Sequence, residues 1–158
     1  MPTPNDQALM TRAIDLSLQS VADGGGPFGC VIAKNGVVIA TGTNQVTTAN
    51  DPTAHAEIVA IRAACRALDD FTLRGCHVYT SCEPCPMCLA GLWWARVDRI
   101  TYANGRADAA AVGFDDKNIY AELSHPPGER KLPLRQMMRD QALVAFSAWR
   151  AKADRVEY

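Results

Sequence analysis

The sequence predicts an α/β fold, a three-layer α/β/α sandwich built round a mixed central sheet. Three observations predict it. A hairpin comes early: Phe28 to Ala33 and Val37 to Thr43 read as strands joined at Asn35-Gly36, the strongest short hairpin signal. Two later strands, Cys76 to Ser81 and Val97 to Tyr102, alternate with helical stretches that serve as crossovers. The resulting order, αββαβαβα, places helices on both faces of the sheet.

The first helix runs to about Ala22, capped by Asn5 and Asp6, with Leu9, Ile14, Leu18 and Val21 as its apolar stripe. Gly24-Gly25-Gly26-Pro27 stops it. No strand precedes this glycine run and no Lys-Ser/Thr follows, so it reads as a turn and not a phosphate loop. Asn44 ends the returning strand, where an amide by itself is ordinary turn chemistry. Asp51-Pro52-Thr53 opens a second helix, with His55 in its first turn, Ala54, Ile58, Ile61 and Ala64 facing inward, and Leu68 near its end. Pro86 begins a third helix through Met87, Leu89, Leu92 and Trp93. An alanine-rich helix leads to Gly113, and 119–123 is helical again. Pro126-Pro127-Gly128 breaks the chain before a last amphipathic helix carrying Leu143, Val144, Phe146 and Trp149. The reading is one domain over 1–158, in which 127–158 is the only segment able to leave the body and pack elsewhere.

Composition sets bounds. The 158 residues are 48% hydrophobic and 21% charged, which is ordinary for a globular domain with a real core. A net charge of −1 gives no basic footprint for a nucleic acid. No leader pattern or membrane-length apolar run is visible. Six cysteines (30, 65, 76, 82, 85 and 88) read as reduced thiols of a cytoplasmic protein, because the chain is large for a disulfide scaffold.

The chemistry lies in two segments, Thr53-Ala54-His55-Ala56-Glu57 and Glu83-Pro84-Cys85-Pro86-Met87-Cys88. His55, Cys85 and Cys88 supply one imidazole and two thiolates, a set that suits Zn²⁺ with its fourth position open. Cys85 and Cys88 are three apart, so both sulfurs leave one face of a helix. Glu57, two residues beyond His55, is close enough to handle protons without being a ligand. A C-x-x-C pair alone also reads as a redox dithiol or half of a structural knuckle. The first needs no upstream H-x-E, and the second wants a fourth protein ligand. Both halves of the site sit at helix N-termini, where backbone N–H groups favour thiolates. His77 and His125 have no partner at ligand spacing.

These motifs resemble the cytidine-deaminase-like superfamily, whose signature is H-x-E followed by P-C-x-x-C. Further stretches resemble bacterial guanine deaminases: Gly26-Pro27-Phe28-Gly29, Asn50 to Glu57, Tyr79 to Cys85, Trp94-Ala95-Arg96, Gly113-Phe114-Asp115-Asp116 and Glu157-Tyr158. The resemblance implies a sheet of about five strands, a zinc ion held by His55, Cys85 and Cys88, and Glu57 as proton shuttle. It also implies an amide at Asn44 that bonds the purine, and aromatic walls at Phe28 and Trp94. Asp116 would read the purine's N–H donors, and Tyr158 would close the site. A homodimer with the C-terminal segment exchanged between subunits is a further implication.

The reaction implied is hydrolysis of guanine to xanthine and ammonia, with Glu57 carrying protons from water first to the ring nitrogen and then to the leaving amine. Asp115 and Glu122 are spare carboxylates that a solvated helix face explains. Two enzyme alternatives share the motifs: a tRNA adenosine deaminase, which would need a basic RNA-binding face, and an aminohydrolase of cytosine or another small ring. A zinc-stabilised binding module is the non-catalytic alternative, and it would have no use for Glu57.

Overall fold

The hairpin forms where the sequence places it. Strands β1 (Gly29–Lys34) and β2 (Val37–Thr43) pair antiparallel, and Asn35 and Gly36 turn between them with φ of 51° and 78°. Positive φ at both positions is what a type I′ turn demands. Strand β3 (Cys76–Cys82) pairs antiparallel with β1 and parallel with β4 (Arg99–Asn104), giving a mixed sheet in the order β2-β1-β3-β4. In this computed structural model residues 3–158 are described, and among them the sheet has four strands where about five were expected. After β4 the alanine-rich run Arg106–Ala111 is helical, as alanine's propensity favours.

Helix α1 (Pro4–Ala22) packs on one face of the sheet, while α3 (Ala56–Leu68) and α4 (Pro86–Trp94) pack on the other; α2 (Val46–Ala49) is a single turn between β2 and α3. Strand alternation sorts the core. Cys30, Ile32, Cys76 and Val78 face α3 and α4, whereas Val31, Ala33 and Tyr79 face α1.

Helices α1 and α3 lie closer to the sheet than their apolar patterns suggest. Ile14, Leu18 and Val21 are exposed, and α1 instead buries Leu9, Ala13 and Ser20. A Cβ added at Gly29 would collide with the Ala13 carbonyl oxygen, so only small side chains fit beneath the helix. The same holds for α3, whose buried line is Ala56, Ala60 and Ala64 with Gly42 opposite, while Ile58 and Ile61 lie at its flanks. The N-cap of α1 is Thr3, in a reciprocal capping box with Asp6, and Pro4 takes the first helical position.

Asp6 also ties the helix to the sheet. Its carboxylate accepts from the Tyr79 hydroxyl and, at 2.9 Å, from Arg99 Nη2. The Tyr79 hydrogen bond, then the Thr3 cap, hold the Asp6 carboxyl well below its ordinary value of 3.8. A depressed folded-state pKa contributes stability above the unfolded value, and that contribution is lost as pH falls below it. Asp6→Asn is therefore expected to lower the thermal midpoint at pH 7, with the gap to wild type closing below about pH 4. Melting curves across pH 2–7 measure this.

The chain divides into two compact units at Asp116/Lys117, ahead of the Pro126-Pro127-Gly128 break. The second unit, Lys117–Tyr158, holds α6 (Lys117–Ser124), a 3₁₀ turn at Pro127–Glu129 and α7 (Arg139–Ala151), with α5 (Arg106–Ala111) left in the first. Val144 and Phe146 of α7 are 68% and 73% exposed. Among the described residues no helix is long and apolar enough to cross a membrane. All six cysteines are unpaired.

Candidate active site

Two helix starts meet to build the site. His55 is the N-cap of α3 and Cys85 the N-cap of α4, both extended at ψ of 156° and 167°, and neither side chain caps its own helix. Pro86 sets the first helical position of α4, and Cys88 follows in the first turn, buried. The loop before His55 is held on both sides. Asp51 accepts from the Thr53 amide at 2.8 Å and its hydroxyl at 2.7 Å, and the Gln45 amide donates to the Ala54 carbonyl at 2.9 Å. This second bond sets the residue after Asn44 against the residue before His55.

The donor set fits zinc. His55 Nδ1 lies 3.5 Å from each of the two sulfurs, and the three ligand atoms fall within 4.8 Å of one another. A tetrahedral ion about 2.3 Å from sulfur and about 2.1 Å from nitrogen would separate nitrogen from sulfur by about 3.6 Å and the two sulfurs by about 3.8 Å. The protonation balance agrees. The Cys88 thiol, and then His55, pull the Cys85 thiol down to about 4. Cys88 is raised by that neighbouring thiolate and by burial, and the Cys85 thiolate raises His55. One thiolate forms readily and opposes the second, a conflict that a divalent cation removes.

Glu57, in the first turn of α3, is 6% exposed. Burial raises its carboxyl above the ordinary value of 4.5. Among the described residues, no Lys or Arg forms an ion pair with it. Its Oε1 accepts from the Thr80 hydroxyl of β3 at 3.3 Å. Burial, with Glu57 adding to it, keeps the Cys30 and Cys82 thiols protonated, Cys82 to about 11.

The other expected residues fall as follows. Asn44 is buried, and its Oδ1 accepts from the amides of Gly26 at 3.4 Å and Val46 at 3.2 Å, which leaves its NH₂ as the outward donor. Phe28 follows Pro27 and packs edge-on against Phe114, with ring centroids 4.9 Å apart. Trp94 ends α4 and is 62% exposed. Asp116 is paired with Arg106 Nε at 3.3 Å. Tyr158 and Glu122 belong to the second unit, where Glu122 accepts from the Leu132 amide. The sequence reading had no role for Thr80, Phe114 or Arg106. Phe114 and Thr80 were visible only as parts of stretches, Thr80 also as a hydroxyl in an otherwise apolar strand row.

The family model for the cytidine and deoxycytidylate deaminase zinc-binding region matches residues 3–104. The chain belongs to that family. Zinc-binding deaminases of this kind thus account for the fold and the three-ligand group together. The chain is 50% identical to the guanine deaminase of Bacillus subtilis (strain 168) over 155 residues, covering 98% of this chain and 99% of that one. A solved structure of guanine deaminase from Bacillus subtilis superposes with a TM-score of 0.94, covering 96% of this chain and 98% of the other. A tRNA-specific adenosine deaminase from Agrobacterium fabrum is 37% identical over 128 residues, covering 74% of this chain and 83% of that protein. Within the deaminase family, the likeness to guanine deaminase is therefore greater in both identity and extent.

Proposed function

We propose that this chain hydrolyses guanine to xanthine and ammonia, a step of purine breakdown in a reducing, cytoplasmic compartment. The observation that carries it is a buried carboxylate, Glu57, two residues from an open three-ligand group. The full-length likeness to guanine deaminase supports the choice of base.

His55, Cys85 and Cys88 would hold the ion. What Zn²⁺ supplies when bound is a water activated to attack near neutral pH. Glu57 would accept one proton from that water and deliver it to the ring nitrogen, then take the second from the hydroxyl newly bonded to the ring carbon and pass it to the amine, which leaves as ammonia. A carboxyl raised by burial is suited to both the acceptor and the donor role. Asn44 offers its NH₂ to an acceptor on the purine while backbone amides fix its oxygen. Phe28, buttressed by Phe114, and Trp94 wall the ring. Asp116, oriented by Arg106, accepts from the purine's N–H donors.

Guanine is expected to be preferred over adenine, cytosine and cytidine. Adenine's N1 is only an acceptor, and each polar group left unpaired costs about 1–3 kcal/mol. Ammonia release from a panel of bases, nucleosides and tRNA measures this. Comparable efficiency on cytosine, or activity confined to tRNA, overturns the substrate assignment.

The active form is a homodimer in which 127–158 is exchanged between subunits and Tyr158 closes a purine pocket. The exposed apolar side chains of α7 support this reading. Deleting 156–158 is expected to cost about tenfold or more in guanine turnover with an unchanged thermal midpoint, since chain ends bury little. Unchanged turnover, or an equal loss of stability, counts against it; sedimentation of the full chain tests the dimer.

A further inference from the structure

We infer that Thr80 is a positioning residue that fixes the Glu57 carboxylate for proton transfer. Thr80 lies on β3, between β1 and β4, with Cys30 and Tyr102 as its strand partners. Alternation puts it in one row with Cys76, Val78 and Cys82, which faces α3 and α4. Packing there asks only for an apolar, β-branched side chain, which valine would supply at the same volume. Thr80 is 1% exposed, and burying a hydroxyl is unfavourable unless a partner compensates it.

Its partner is Glu57 Oε1 at 3.3 Å, and among the described residues the hydroxyl has no other. The carboxylate also accepts from the Glu57 backbone amide, and the Cys30 and Cys82 thiols near it are weak donors. Thr80 therefore supplies the one oxygen-borne donor on the protein side. The terminal torsion of a glutamate is soft, and its own backbone amide holds the group only from its own helix, so without the Thr80 donor the carboxylate plane is less restrained. With Oε1 anchored to the central strand, the second oxygen keeps one direction, toward the water and base. The effect falls on turnover, because the purine is held by other residues.

The inference rests on Glu57 being the proton carrier, and its test separates the two. Thr80→Val is expected to lower kcat on guanine by about ten- to a hundredfold, the range set by a hydrogen bond to a charged group. KM, zinc content and thermal midpoint should stay near wild type, and Thr80→Ser should restore most of kcat. In a Glu57→Gln background, Thr80→Val should subtract little more, because the carboxylate it positions is gone. Three results overturn the inference: Thr80→Val within twofold of wild type, a Thr80→Ser as impaired as the valine variant, or an undiminished loss in the Glu57→Gln background. If Thr80→Val fails to fold, Thr80→Ala carries the same comparison. A Glu57→Gln protein that turns over guanine like wild type removes the proton-carrier reading itself, whatever Thr80 does.

Discussion

Glu57→Gln is expected to lower guanine turnover by about 10²–10⁴-fold while zinc content and thermal midpoint stay near wild type. The side chain is almost wholly buried, so the replacement must match its shape, and glutamine does. Its amide oxygen can still accept from the Thr80 hydroxyl, which keeps the packing against β3. What glutamine cannot do is take a proton from water and return it to the amine. The loss should appear in kcat with little change in KM, because the shuttle acts only as bonds to hydrogen form and break. Steady-state kinetics and metal analysis on one preparation check this. Turnover within a few-fold of wild type would remove Glu57 from the mechanism.

Loss of a metal ligand should cost as much or more. Cys88→Ala removes a buried sulfur 3.5 Å from His55 Nδ1 and leaves two donors, too few to hold zinc against dilution. Lewis-acid activation contributes several kcal/mol, so turnover should drop about a thousandfold or more, in step with zinc content. Prolonged chelation of the wild-type protein should do the same, and added Zn²⁺ should restore it. An active, metal-free wild-type protein would overturn the zinc-hydrolase reading.

How much of this was legible beforehand depends on the range of the interaction that decides each feature. The turn at Asn35-Gly36 and the helix start at Pro86 are local, and both form as read. The site motifs are local too: Glu57 comes two positions after His55 and Cys88 three after Cys85, spacings that nearly determine the geometry within each half. The faces of α1 and α3 were read wrongly or only in part, because backbone approach decides them. At Gly29 and Gly42 the sheet comes so near that alanines go inward and Ile14, Leu18 and Val21 are displaced outward. No periodicity of hydrophobic residues reports that distance. The capping of α1 by Thr3 was missed for a smaller reason, since Asn5 and Asp6 are equally good capping types one turn into the helix. Thr80 escaped notice because its partner is 23 positions away in the chain, across the gap between a strand and a helix.

The two helix starts carry a consequence for how the protein opens. An N-cap side chain ordinarily satisfies one of the free amides in a helix's first turn. At α3 and α4 that position is occupied by His55 and Cys85, which aim at each other instead. The first turns of both helices thus lack the local closure that the Thr3 box gives α1. Without an ion to join them, their amides belong to the low-stability end of the molecule's opening spectrum. With an ion bound, the two turns are cross-braced by coordination, so metal occupancy and amide exchange at residues 56–59 and 87–89 become two readings of one equilibrium.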